Sequence, residues 1–144
     1  MIRVLAILIA ALCVTPHLAV AEQEYENTCD GAYEYVLDWF ESQEDTFATD
    51  ATPEPTLGDV MRWNVEYLQA HEPPNLFEPY VGAAIEFFTF IAVDTATPPP
   101  DDVTLWTVVE KLENEAEKLV VECGNNHPLV TEYVNAVLAT PTAE

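Results

Sequence analysis

The chain has 144 residues, 49% of them hydrophobic, and sets 26 aspartates and glutamates against only four lysines and arginines, a formal net charge of −22. So acidic a surface repels nucleic acid and anionic lipid headgroups, whose binding depends on Lys and Arg, which argues against a DNA- or RNA-binding role. The high apolar fraction and aromatics spread along the sequence exclude a disordered acidic tail and predict one folded domain with a real core.

The first element is "MIRVLAILIAALCVTPHLAVA". Arg3 and the terminal amine make a positive n-region, Val4 to Val14 is unbroken apolar sequence, and Ala19-Val20-Ala21 supplies the small residues of a signal-peptidase site. Residues 1–21 therefore read as a cleavable signal peptide, with cleavage between Ala21 and Glu22 and an acidic helical domain at 22–144. A membrane anchor is the rival, but a span takes about 20 apolar residues and Pro16 and His17 interrupt this run. Lipidation at Cys13 is disfavoured by the bulky Leu12 before it. The expected location is secreted or periplasmic, with no stable membrane anchor after cleavage.

The first helix is predicted from Thr28 to Ala48, with Ala32, Tyr33, Val36, Leu37 and Phe40 at three- and four-residue steps and Thr28 as N-cap. "TDATPEPT" then breaks the pattern. Thr56 is placed to cap a second helix ending near Ala70, with Asp59 three residues on as an acidic near-match to a capping box and Leu57, Val60, Met61, Asn64, Val65 and Leu68 inward. After "HEPPN" a third helix is predicted from Leu76 to Val93, carrying Pro79 in its first turn. Its Gly82, Ala83 and Ala84 suit close approach of a neighbouring backbone. "TATPPPDD" forms a stiff second linker. The fourth helix has Leu105, Val109, Leu112, Ala116, Leu119, Val120 and Cys123 on one stripe and Gly124 as C-cap, and a short fifth helix spans Leu129 to Leu138.

Four main helices with short connections predict an all-α, single-domain up-down bundle plus a short C-terminal helix. Once Cys13 leaves with the leader, Cys29 and Cys123 remain. An exported chain is read as pairing them, with free thiols or a metal site as alternatives; no Cys-x-x-Cys or His-x-x-x-His spacing supports the metal. In an up-down bundle the start of the first helix and the end of the fourth share one end, so bridge and topology support each other.

Catalytic chemistry is poorly signalled. Beyond the leader, serine is limited to Ser42, His71 and His127 sit in proline-bearing turns, and no G-x-S-x-G, Glu-x-x-His or calcium-loop pattern occurs. No catalytic residue, cofactor or metal is expected, and a cryptic hydrolase is a distant alternative. Trp39 and Trp63 fall beside the main stripes, and "EYENTCDGAYEY" concentrates tyrosines among acids, so Tyr33, Tyr35, Trp39 and Trp63 are the candidate partner-binding edge.

The frames "TCDGAY" and "VVECGNNHP" resemble small disulfide-closed helical chaperones of the acid-stressed bacterial periplasm, which have a Thr-Cys start and a Cys-x-x-Asn-Pro end. Here His127 precedes Pro128 and the cysteines stand much farther apart. The resemblance covers about fifteen residues and implies, as an alternative, an acid- or stress-responsive chaperone-like protein. The leading expectation is an exported binding protein whose partner is an unknown protein or small ligand.

Overall fold

The structure, a computed structural model, describes residues 24–47, 54–92 and 104–138. The expected leader, the cleavage residues Ala19, Ala21 and Glu22, the "TATPPPDD" linker, most of the first linker and the C-terminal tail lie outside the described residues.

Among the described residues, five helices pack as the expected all-α up-down bundle: α1 Cys29–Thr46, α2 Leu57–Ala70, α3 Glu78–Ala92, α4 Leu105–Cys123, and α5, in which a π-helical stretch Leu129–Val134 runs into a short α-helix Asn135–Leu138. Cap chemistry sets the starts. The Thr28, Thr56 and Thr104 hydroxyls accept from the backbone N–H groups of Gly31, Asp59 and Thr107, satisfying donors that the first helical turn leaves orphaned. At α2 the box is complete, since Asp59 also accepts from the Thr56 backbone N–H at 3.0 Å; the Thr56 hydroxyl donating to the same carboxylate, then that backbone bond and the Arg62 guanidinium, hold the Asp59 carboxyl below its ordinary range. Gly124 ends α4 at φ 83°, a conformation natural to glycine.

Ala83 and Ala84 face inward, and α3 packs most extensively against α2 and α4. Gly82 does not share this role: it faces outward with open space where a side chain would sit. Close approach matters instead at Gly31, where a Cβ would lie 2.0 Å from the Glu26 carbonyl oxygen. The segment before α1 crosses the helix there. Tyr25 packs edge-on against Tyr35 and donates to Asp38 at 2.7 Å, while the Asn27 side chain accepts from the Leu76 N–H at 2.8 Å.

Three expected stripes rotate. In α1 the buried set is Gly31, Ala32, Tyr35, Val36 and Trp39, whereas Leu37 and Phe40 are 47% and 40% exposed. Large rings win the interior because their polar tips find partners there: Trp39 Nε1 donates to Asn64 Oδ1 at 2.7 Å, and the Tyr35 hydroxyl donates to the His71 carbonyl at 3.2 Å. In α2 Leu57 is exposed and Tyr67 joins Asn64 and Leu68 inside; in α4 Val108 replaces Leu105. The π turn of α5 is a further departure. Its bonds join residues five apart, and Leu129 and Val134, five apart, are both fully buried. Tyr133 enters a ring cluster with Trp39, Phe40, Phe77 and Tyr80.

All six tyrosines have hydroxyls that resist ionisation. Burial pushes Tyr80 up to about 12 and raises Tyr133 well above the ordinary 10.0, and it also leads the rises of Tyr25, Tyr35 and Tyr67; at Tyr33 the bond to Glu132 leads. A proton affinity higher in the folded chain stabilises fully below the unfolded value near 10.0 and is lost as pH rises through the folded values. We therefore expect helicity to hold to about pH 10 and to collapse cooperatively above it, with tyrosinate absorbance at 295 nm rising together with the loss of far-UV circular dichroism. Smooth tyrosinate formation near pH 10 with helicity intact would contradict this arrangement.

Candidate functional site

The four aromatic residues expected to form one edge go to three places. Tyr35 and Trp39 are core residues, 0% and 1% exposed, and cannot meet a partner. Trp63 is half-buried on α2 within a ladder of rings, edge-on to Phe47 and stacked on Tyr67, which stacks in turn on His71 at 4.0 Å. Tyr33 is half-buried at the surface, where its hydroxyl donates to the Glu132 carboxylate of α5. The edge as expected from sequence is not assembled.

A different surface emerges on the same helix. Tyr33, Leu37 and Phe40 follow at steps of four and three, which places them on one side of α1, and Leu37 and Phe40 are the two large apolar residues of α1 left exposed. Phe40 is backed by the Trp39 ring at 5.4 Å and the Tyr133 ring at 5.3 Å, so its seat is anchored in the core. Glu34, Glu41 and Glu44 stand exposed along the same helix, and Glu132 is exposed on α5 beside it. Neither α1 nor α5 contains a lysine or arginine. The cations of the described helices lie elsewhere, each against an acid: Arg62 on Asp59, Lys111 on Glu86 and Lys118 on Glu115. The α1 face is thus apolar along its middle and uncompensated negative around it.

Sequence reasoning placed Tyr33 on a candidate edge but missed Leu37 and Phe40, which it assigned to the core, and nothing in the pattern of α1 set those two apart from the buried positions.

Beside the strap before α1, a cleft of about 640 Å³ is lined by Glu24, Tyr25, Glu26, Asn27, Glu72, Pro73, Pro74 and Asn75. His127, expected to be a plain turn residue, has a structural task. The Leu129 N–H donates to its Nδ1 at 3.1 Å, which leaves Nε2 to carry the proton toward Asp30 at 3.0 Å, tying the turn after α4 to the start of α1. Cys29 and Cys123 form a disulfide at this same end, with Cα atoms 5.7 Å apart. Among the described residues no group of three or more His, Cys, Asp or Glu is arranged to hold a metal, and no helix is long and apolar enough to cross a membrane.

No protein-family model matches the chain, and no curated protein or solved structure matches it. The likeness to periplasmic chaperones stays confined to the residues flanking the two cysteines.

Proposed function

We propose that this chain is an exported, non-catalytic binding module that engages a protein partner through the outer face of α1. The observation that carries the reading is the exposed stripe of Leu37 and Phe40 beside Tyr33, on a helix whose core positions are already filled by Tyr35, Val36 and Trp39. An apolar stripe left at the surface and rimmed by charge suits an interaction site. The apolar leader and the Cys29–Cys123 bridge support the exported part of the reading, since disulfides persist in oxidising compartments. The test is a photo-crosslinking residue placed at Leu37 in the exported protein, with Glu66 on α2 as the control position. A discrete adduct at position 37 alone is expected, on a chain whose N-terminal sequence begins at Glu22. Equal labelling at both positions, or none at 37, would overturn the proposal.

A second reading, an acid-responsive chaperone-like protein, is favoured by the bonds that fasten α1 at this side. Tyr33 donates to Glu132 and His127 to Asp30, so both ties between α1 and the chain after α4 run through surface carboxylates as acceptors. Loosening them would uncover the rings of Trp39 and Tyr133. Reversible binding of a hydrophobic dye on acidification supports this reading; dye binding that stays flat until the helices melt argues against it.

A further inference from the structure

We infer that the occupant of the α1 face is a basic amphipathic helix of the partner protein, an inference that rests on the reading above. Helix-in-groove partners present anchors at steps of three and four residues, and Tyr33, Leu37 and Phe40 offer a complementary row with that spacing. The row runs from Tyr33 to Phe40, about 10 Å along the helix, which is close to the diameter of one helix lying across it. Its C-terminal end is firm, because Phe40 rests on Trp39 and Tyr133, and Trp39 is held by Asn64. A seat ordered before binding loses little freedom when it is filled.

Charge selects among the possible occupants. Glu34, Glu41 and Glu44 flank the row on α1, Glu132 flanks it on α5, and neither helix supplies a cation. A second copy of this chain would bring the same carboxylates to the contact, and an anionic membrane would bring phosphates; both meet repulsion. A helix with an apolar face bordered by lysines or arginines meets the apolar row with its own and the glutamates with its cations. The acidic rim would also speed its encounter, an effect that salt weakens.

The inference is tested with the full chain, exported and purified with its disulfide intact, and three labelled peptides followed by fluorescence anisotropy. One is a Lys/Leu peptide patterned as an amphipathic helix, the second the same composition scrambled to destroy the face, and the third a Glu/Leu version of the first. The first is expected to bind and the other two to bind at least about tenfold more weakly. Leu37→Glu is expected to lower affinity about tenfold or more and Glu41→Lys to lower it with a shallower salt dependence, while Glu117→Lys on exposed α4 leaves it unchanged. Leu37 is half exposed, so its variant should fold, which circular dichroism verifies; Glu41→Lys tests the face independently. Equal binding of patterned and scrambled peptides, equal loss from Glu117→Lys, or dimerisation of the chain abolished by Leu37→Glu would overturn the inference. The crosslink at position 37 separates the two levels. An adduct on a segment that is not a basic helix leaves the binding-module reading standing and removes this one; no adduct removes both.

Discussion

Trp39→Ala is expected to remove about 3–5 kcal/mol from the stability of the fold, the range found for large aromatics deleted from cores. The ring is 1% exposed, lies edge-on to Phe88 and Tyr133, and donates its N–H to Asn64, which is itself only 3% exposed. Its loss opens a void at the junction of α1, α2, α3 and α5 and leaves the Asn64 oxygen without a donor. A buried polar atom without a partner costs about 1–3 kcal/mol on its own. Because small domains are stable by only about 5–15 kcal/mol, the variant should sit near the edge of folding. The polar part separates cleanly in urea titrations. Trp39→Phe keeps most of the volume but strands Asn64; adding Asn64→Leu removes the stranded group and should recover part of the loss. If the double variant were no more stable than Trp39→Phe, the Trp39–Asn64 bond would not hold the weight given to it.

The second large effect is expected from the disulfide. Cys29 opens α1, Cys123 closes α4, and their sequence separation of 94 residues encloses the four main helices. Cross-linking a loop near that length restricts the unfolded chain by about 4–5 kcal/mol in the chain-entropy model, and removal of native bridges typically costs about 2–5 kcal/mol. This fold should feel the loss strongly, because α1 meets its neighbours largely through long side chains such as Trp39 and Tyr35 rather than by close backbone packing. Cys29→Ala, or reduction at neutral pH, should lower the urea midpoint by the corresponding amount. Alkylation without reductant should add no mass. Two alkyl groups, or an unchanged midpoint after reduction, would refute a structural bridge.

The sequence showed what repeats or punctuates. Threonines 28 and 56 and Gly124 marked helix ends, the strict periodicity of residues 105–123 marked α4, and the positions of two cysteines marked the shared end of the bundle. What it concealed depends on partners far along the chain. Hydropathy ranks Leu37 and Phe40 above Tyr35 and Trp39 as core residues, and only the locations of Asn64 and the His71 carbonyl reverse that order. The π turn is equally silent, since its width is set by what Tyr133 meets across the core and not by local propensity. The candidate binding face was therefore legible only at Tyr33, with Leu37 and Phe40 hidden among the expected core residues.

The bridge has one more consequence, which concerns tension. If the chain is pulled by its two ends, the load entering at residue 28 crosses through the sulfur atoms and leaves at residue 124, bypassing the four helices between them. Only the strap before α1 and the chain from Gly124 through α5 can be drawn out, at no more than about 3.3–3.6 Å per residue. With the sulfurs reduced, the enclosed 94-residue path joins the extensible length. A protein wired in this way can be tugged at either end while the four helices inside the bridge stay slack.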